Sequence, residues 1–232
     1  MTKEQKERLR QKWRGWLDEI GNELGLLLTG RDFFWRLQRI VESNKKIQSP
    51  ALLHNWIADN YVAKVTTGII RITGHHRGTI SLYWLIKGIE NNPDAITREY
   101  FVSQWKDEFL KKMGTADSTF DEFAKVGEQL IDPERLARDI EKLDKGMGLV
   151  KDFRDQWVAH FDEKRKIDRM PTFRDLDKAL DIIDEVWCKY RLLLERCAPD
   201  TRKPSVAVDW EEPLRYQWIE EQGDETIEGE RK

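Results

Sequence analysis

Cysteine, histidine and long apolar runs are all scarce in this sequence. Only two cysteines, Cys188 and Cys197, occur in 232 residues, so a disulfide-stapled scaffold is excluded. The two lie nine residues apart on one predicted helix and fall on opposite faces, which prevents a bridge and indicates a reducing compartment. The four histidines form no cluster with the spacing of a zinc site. We therefore expect no cofactor and no metal.

No apolar run approaches the roughly 20 residues that a membrane-spanning helix requires. The first residues, MTKEQKERLRQKW, are charged rather than apolar, so the pattern of a signal peptide is missing. We therefore expect a cytoplasmic protein with no membrane contact. A Gly-rich phosphate loop is missing as well, because the GMG at 146–148 lacks both the preceding strand and the lysine of that motif.

Charge, by contrast, is abundant and unevenly distributed. Charged residues make up 36% of the chain, and the net charge is −3. Residues 209–232 carry nine acidic and three basic side chains, so their net charge of −6 leaves +3 on the rest. A mildly basic body permits contact with nucleic acid but does not require it.

Helical periodicity dominates the chain, and no alternating strand pattern appears before the tail. We therefore predict an all-α fold, a compact multi-helix bundle with additional N-terminal helices and an irregular C-terminal tail. Caps and breakers define the helix ends, with Gly30 separating the first two helices and Asp132 and Thr172 opening the last two. The predicted helices cover 3–27, 32–43, 50–73, 79–91, 95–112, 118–130, 132–162 and 172–198.

These helices suggest three segments. Residues 1–48 form N-terminal helices that pack on the bundle, 49–198 form its helical core, and 199–232 form a docked and then disordered acidic tail. In the tail, Trp210 and Trp218 lie on one face of a short helical turn. Such a turn could dock both indoles on the bundle, whereas a tail that lies along the surface and is disordered after about residue 222 is the favoured interpretation.

The stretch FRDQWVAHFD, residues 153–162, sets two polar side chains beside an aromatic stripe. On a helical wheel with about 100° per residue, Arg154 and His160 flank that stripe on opposite edges. We expect the stripe to be core or a dimer contact, and two such helices meeting across a two-fold axis would gather the polar groups in one cleft. The stripe consists of Val150, Phe153, Trp157 and Phe161.

An imidazole and a guanidinium are together sufficient to cut RNA without a metal. An imidazole exchanges protons near neutral pH, whereas a guanidinium stays charged and binds a phosphate through two N–H groups. His160 would take the proton of the ribose 2′-hydroxyl, and Arg154 would stabilise the charge on the phosphate that the 2′-oxygen attacks. The products would be a cyclic phosphate and a 5′-hydroxyl, and DNA would resist.

Spacing alone does not identify this pair, because short motifs match by chance. Arg71 and His76 have a similar spacing, but they lie where glycines end a helix and lack the aromatic stripe. We take that second pair as a chance match.

FRDQWVAHFD resembles the signature of the HEPN superfamily, an arginine usually followed by Asn, Asp or His, then a histidine four to six residues further on. Asp155 fills the polar position. A second segment, IIRITGHHRGTISLYWLIKGIENNP at 69–93, is similar to the AbiU-like abortive-infection branch, in which a helix ends in a short loop before an SL pair. The DW…W tail resembles the same branch. The similarity covers roughly residues 51–218.

The resemblance implies a compact all-α bundle, dimerisation through the motif helices and metal-independent RNase activity. Carried over residue by residue, it makes Arg154 and His160 catalytic and Asp155 the orienting polar residue. A toxin or antiviral effector of this kind would act on RNA as a homodimer and could have a regulatory or antitoxin partner.

The segment after the histidine is basic and allows two interpretations. It could guide an RNA backbone beside the active site, or it could be an ordinary solvated connection between helices. Its basic side chains are Lys164, Arg165, Lys166 and Arg169.

Two alternatives to the RNase remain open at the level of the sequence. One is a non-catalytic helical domain that binds RNA or a nucleotide, with Arg154 as a phosphate clamp. The other is a helical interaction scaffold whose aromatic stripe forms a dimer or partner interface.

Overall fold

The computed structural model describes residues 1–105, 108–159, 163, 166–196 and 209–216. Over these ranges the chain forms eight α-helices and no strand, which confirms the predicted all-α fold. None of the helices in these ranges has a stretch both long and apolar enough to cross a bilayer. The helices are α1 (Lys3–Ser43), α2 (Leu52–Thr73), α3 (Leu82–Glu90), α4 (Arg98–Ser103), α5 (Glu108–Lys112), α6 (Thr115–Phe120), α7 (Pro133–Phe153) and α8 (Phe173–Glu195).

The helix α1 is continuous over 41 residues, where the sequence predicted two helices. The predicted break at Gly30 is wrong because packing on both sides of the glycine outweighs its low helix propensity. A glycine inside a helix costs about 1 kcal/mol. Leu27, Leu28 and Phe34 are all buried around it, and each contributes roughly 1.5–3 kcal/mol.

Four long helices, α1, α2, α7 and α8, pack on one another and enclose the core, with α3 against α1 and α7. The Nε1 group of Trp187 on α8 donates a hydrogen bond to the Leu17 carbonyl of α1 at 2.9 Å, which fixes the main contact between helices distant in the chain. The largest fully buried side chains include Trp13, Trp187, Tyr190, Phe101, Phe120 and Phe123.

The caps of α7 and α8 are those that the sequence predicted. Asp132 caps α7 and accepts from the Glu134 amide, with Pro133 in the first turn, while Thr172 forms a capping box with Asp175 at the start of α8. The two helices approach closely at Gly146, because a Cβ there would lie 2.7 Å from Cδ1 of Ile182.

Asp139 on α7 joins the same two helices through a polar contact. The carboxylate, itself almost fully buried, accepts from Nζ of Lys189 at 2.7 Å and from the Tyr190 hydroxyl at 2.8 Å. Burial is the main cause that raises the pKa of Tyr190 well above its ordinary value. The tyrosine therefore keeps its proton and donates to the carboxylate.

Between 95 and 130 the structure differs from the two predicted helices. Over the described residues of this range only short helices form, and turns follow Phe120. The reason is the buried Arg98, whose guanidinium donates to the carbonyls of Asp117, Lys125 and Glu128. Carbonyls that a continued helix would have bonded internally instead bind this arginine.

The described part of the acidic tail lies against α1. The Trp210 ring is 4.8 Å from the ring of Phe33, and the Arg36 guanidinium lies 5.2 Å from the centroid of the same indole. Arg36 also binds Glu211 at 2.7 Å. Trp218 and Cys197 lie outside the described residues.

Candidate functional site

A cleft of about 1000 Å³ lies between the end of α2 with the loop that follows it and the last turns of α7. Both motifs singled out in the sequence contribute to its walls. We call it the Arg154 cleft. It is lined by Ile70, Thr73, Gly74, His75, His76, Asp144, Met147, Gly148, Lys151, Asp152, Arg154, Asp155 and Gln156.

Arg154 lies in this cleft with a side chain that is 21% exposed. Its Nη2 is 2.9 Å from Oδ1 of Asp155. Its Nε is buried and has no hydrogen-bond partner within the described ranges. A buried N–H group without a partner costs roughly 1–3 kcal/mol, so an added acceptor would stabilise the arginine. A phosphate, which binds a guanidinium fork through two oxygens, is such an acceptor.

The backbone changes conformation at this arginine. The six residues Arg154–Ala159 continue α7 as a π-helix, in which hydrogen bonds span five residues and the turn is wider. Side chains beyond Phe153 therefore do not follow the α-helical wheel. Val150 and Phe153 are buried, whereas Trp157 is 39% exposed and Phe161 lies outside the described residues, so the stripe as core or dimer contact stays a prediction. Single π-turns are frequent at functional sites.

The opposite wall is the loop between α2 and α3, which is held at several points. A Cβ on Gly74 would lie 2.6 Å from the Ile70 carbonyl oxygen, so only glycine fits where the chain leaves α2. The Ser81 hydroxyl donates to the Gly74 carbonyl at 2.7 Å and caps α3. Nε1 of Trp84 donates to the His76 carbonyl at 2.7 Å. These contacts fix the position of the loop.

A histidine on this loop forms a contact with α7. Nε2 of His75 is 2.9 Å from Oδ1 of Asp144, and the imidazole stacks on the Tyr83 ring with a centroid separation of 3.8 Å. The carboxylate orients the ring, and the tyrosine fixes its plane. The imidazole is thereby held at the edge of the Arg154 cleft.

Sequence reasoning missed this histidine. From the sequence, His75 was a candidate only as a metal ligand and His76 only as a metal ligand or as the chance partner of Arg71, and Asp144 lies too distant in the chain to be paired with either. The available signal was the second resembling segment, 69–93, which contains two of the four histidines. Arg71, the other member of the pair taken as a chance match, binds Glu23 at 3.0 Å and does not line the cleft.

The charge of the cleft is mixed rather than basic. Lys151 and Arg154 face three carboxylates, two of which are bound to His75 and Arg154. Within the part of the chain that the structure describes, no group of three or more metal-ligating side chains occurs. A phosphate here would be bound through directed hydrogen bonds rather than through a strong positive potential.

The basic segment after the motif is only partly described. The Lys166 amide donates to Oε1 of Gln156 at 2.6 Å, which ties the segment to the π-helix. The guanidinium of Arg169 binds both carboxylate oxygens of Asp175 at 2.7 and 2.8 Å. Arg169 and Thr172 thereby hold the pKa of Asp175 well below its usual range.

The remaining predicted site residues, His160, Phe161, Lys164 and Arg165, lie outside the described residues. The structure brings Arg154 and Asp155 together in one cleft. The catalytic and RNA-binding roles of all the predicted site residues stay predictions.

A second, more apolar groove of about 640 Å³ lies beside the π-helix. The exposed part of Trp157 forms one side, and Met170, also exposed, forms another. We call it the Trp157 groove. It is lined by Asp59, Val62, Ala63, Phe153, Trp157, Val158, Met170, Pro171, Thr172, Phe173 and Leu176.

Comparison with known families gives a match over most of the chain. The model of the HEPN family described as AbiU2 matches residues 10–211, a range that includes both walls of the Arg154 cleft. No curated protein and no solved structure matches the chain. The family match confirms the resemblance found in the sequence, and the chain therefore belongs to the AbiU2 family of HEPN proteins.

Proposed function

We propose that this protein is a metal-independent RNA endonuclease that works as a homodimer and acts as a toxin or antiviral effector in abortive infection. The observation that carries the proposal is Arg154, whose buried Nε lacks a partner within the described ranges. This arginine lies in a cleft, inside the HEPN signature. Membership in the AbiU2 family supports the same function.

In this proposal each residue of the signature has a distinct task. Arg154 binds the scissile phosphate through its fork and stabilises the charge that develops on the phosphoryl oxygens. His160 takes the proton of the 2′-hydroxyl, whose oxygen then attacks the adjacent phosphorus. Asp155 positions the guanidinium through the 2.9 Å contact. The reaction leaves a 2′,3′-cyclic phosphate and a 5′-hydroxyl.

The Trp157 groove supports dimerisation near the signature helix. An aromatic ring that is 39% exposed beside an apolar groove is a feature of protein interfaces. Trp157→Asp should shift the protein from dimer to monomer in light scattering at micromolar concentration. Val126→Asp, a change at another exposed apolar residue, serves as the matched control and should leave the mass unchanged. A monomeric wild-type protein would contradict this part of the proposal.

An RNase of this class would damage the cell that makes it. We therefore also propose a regulatory or antitoxin partner that restrains it. Co-expression should show this partner as a protein that lowers toxicity and co-purifies with the wild type.

The test of the RNase is a cleavage assay in EDTA with a labelled single-stranded RNA. Wild-type protein should cut it and leave cyclic phosphate ends, and a substrate with one 2′-deoxyribose at the cleavage site should resist. His160→Ala and Arg154→Ala should each lower the rate by about 10²–10⁴. Arg71→Ala, which removes an exposed arginine outside the cleft, should leave the rate unchanged.

Other outcomes separate the alternatives. RNA binding with strong salt dependence but no cleavage would favour a non-catalytic RNA-binding domain. Dimerisation without RNA affinity would favour an interaction scaffold. Cleavage that EDTA abolishes would contradict the metal-independent mechanism.

A further inference from the structure

The Arg154 cleft has a second cation in its wall that the proposed reaction does not use. Lys151 on α7 lines the cleft together with Arg154 and is exposed. Within the described ranges its ammonium group makes no ion pair and no hydrogen bond. The other two lysines of α7, Lys142 and Lys145, each bind a glutamate. Lys151 is therefore the lysine of this helix whose charge is available to an anion in the cleft.

Helix geometry directs Lys151 into the cleft. On a wheel with 100° per residue, Lys151 lies in the middle of the α7 arc that lines the cleft, with Arg154 about 60° to one side and Asp152 about 100° to the other. Helical side chains lean toward the N-terminus of their helix, so Lys151 extends over Gly148, one turn earlier. A Cβ on Gly148 would meet nothing within 4 Å. The lysine therefore reaches into open space.

Lys151 and Arg154 are one helical turn apart. The Arg154 amide donates to the Lys151 carbonyl, which keeps the two residues in helical register although the π-helix begins at the arginine. Residues three apart on a helix have Cβ atoms roughly 5–6 Å apart, which is comparable with the separation of consecutive phosphates along one RNA strand. A strand whose scissile phosphate is bound by Arg154 therefore has a neighbouring phosphate within reach of Lys151.

The carboxylates of the cleft leave this position open. Asp155 is bound to Arg154, and Asp144 is bound to a histidine of the loop after α2. Asp152 lies on the side of Lys151 that is away from Arg154, so it does not come between the two cations. Its negative charge disfavours a phosphate beyond the lysine, which restricts bound phosphates to the space between Lys151 and Arg154.

We propose that Lys151 binds the phosphate next to the scissile one, so that the Arg154 cleft selects RNA chains with at least two consecutive phosphates; this inference rests on the proposed RNase function. Lys151 takes no part in proton transfer or bond breaking. Its contact is the same in the bound substrate and in the transition state, so it lowers KM and leaves kcat unchanged. The substrate class is an oligonucleotide of three or more nucleosides rather than a dinucleoside monophosphate.

The test compares substrates that differ by one phosphate. A dinucleoside monophosphate carries only the scissile phosphate, and two trinucleotides add a second phosphate on its 5′ or its 3′ side. A 2′-deoxyribose at the added linkage confines cleavage to one bond. Wild type should have a lower KM for one of the trinucleotides than for the dinucleotide. Lys151→Ala should raise that KM about 5-fold at low salt, the upper end for an exposed ion pair, with kcat unchanged on both substrates.

Three further variants serve as controls. Lys151→Arg keeps the positive charge and should retain the low KM for the trinucleotide. Lys145→Ala removes an exposed lysine of the same helix that does not line the cleft, and it should match wild type on every substrate. Arg154→Ala should be slow on the dinucleotide and the trinucleotides alike, because its partner is the scissile phosphate.

The salt dependence of RNA binding gives a second measurement that does not depend on turnover. Binding of a longer RNA is measured in His160→Ala protein, with and without Lys151→Ala. The slope of log Kd against log salt should fall in size by about 0.7 for each Lys151 that binds a phosphate of single-stranded RNA. Adding Lys145→Ala instead should leave the slope unchanged.

The possible results discriminate between the inference and the function on which it rests. A Lys151→Ala variant that matches wild type on the trinucleotides overturns the inference alone. The same holds for a variant that loses equally on the dinucleotide, or one with an unchanged salt slope. A wild-type protein that cuts neither short nor long RNA overturns the RNase function and the inference with it.

Discussion

Asp155 binds the guanidinium of the residue directly before it, with Nη2 of Arg154 and Oδ1 of Asp155 2.9 Å apart. Consecutive residues of an α-helix do not face each other, and here the π-helix begins at the arginine. The carboxylate engages one nitrogen of the fork, while Nε stays buried without a partner within the described ranges. Asp155 therefore restricts the arginine to an orientation inside the cleft.

Removing this carboxylate should reduce cleavage more than binding. Asp155→Ala should lower kcat about 10-fold, the equivalent of one hydrogen bond to a charged group, with a smaller change in KM. Asp155→Asn keeps an acceptor oxygen and should retain most of the activity. Single-turnover cleavage of labelled RNA measures both variants. If the Asn variant lost as much as the Ala variant, the positioning role would be contradicted.

Lysine should not replace the arginine of the signature. Arg154→Lys keeps the positive charge but loses the two-pronged fork, so kcat should fall by about 10²–10³. RNA affinity should change much less, because the charge remains. Gel-shift and cleavage assays measure the two effects separately, and Arg71→Lys is the control. Full activity of Arg154→Lys would show that charge alone is sufficient.

The turn after α2 should tolerate no side chain at Gly74. In Gly74→Ala the added Cβ would meet the Ile70 carbonyl oxygen at 2.6 Å, and relief requires a backbone shift that costs about 1–3 kcal/mol of unfolding free energy. Gly30→Ala is the matched control, because its Cβ would meet nothing within 4 Å. It should stabilise the protein by about 1 kcal/mol. Urea denaturation followed by circular dichroism measures both changes. A Gly74→Ala variant with the stability of the wild type would contradict the described turn.

The polar contact between α7 and α8 should contribute to stability. Asp139→Ala removes the partner of Lys189 and Tyr190 and should lower the free energy of unfolding by about 3 kcal/mol, at the low end for a buried pair. The low end applies because the Lys189 side chain is 24% exposed and can turn to water. Tyr190→Phe removes one hydrogen bond and should cost only about 1 kcal/mol. Denaturant titration measures the free energy of unfolding of both variants. Equal losses would contradict the role of Asp139 as the shared acceptor of Lys189 and Tyr190.

The start of α8 should show a pH-dependent contribution from Asp175. Its folded-state pKa is depressed by Arg169 and Thr172, so it adds stability above the unfolded-state pKa of about 3.9. That contribution is lost as the pH falls below this value toward the folded pKa. Asp175→Asn should therefore be less stable than wild type at pH 7, and the difference should shrink below pH ~4.

Denaturant titrations of wild type and Asp175→Asn at several pH values measure this difference. Asp168→Asn, a change at a nearby exposed carboxylate, is the control and should show no comparable trend. A difference between Asp175→Asn and wild type that stays constant from pH 7 down to about pH 2.5 would contradict the ion pair.

Local signals predicted much of this fold. The caps at Asp132 and Thr172 depend on residues within three positions of each other, so the sequence alone could place the starts of α7 and α8. The signature at 153–162 is equally local. It led to Arg154 and Asp155, which the structure places in one cleft.

Contacts between distant parts of the chain explain what the sequence could not predict. The helix continues through Gly30 because of packing on other helices, and the turns near 120–130 form around the buried Arg98. Trp157 lies in a π-helix, so its exposure could not be predicted from a helical wheel that assumes the same rotation per residue throughout. His75 and Asp144 meet only when α2 and α7 pack.

The length and packing of α1 have a consequence for synthesis on the ribosome. Among the helices that pack on α1, α8 makes the most extensive contact, and it is the last of the described α-helices to be translated, about 150 residues after α1 ends. At 5–20 residues per second, the part of α1 that α8 covers stays exposed on the nascent chain for roughly 8–30 s. The growing polypeptide therefore offers a binding surface for chaperones until α8 has emerged, and the helical bundle stays incomplete up to that point.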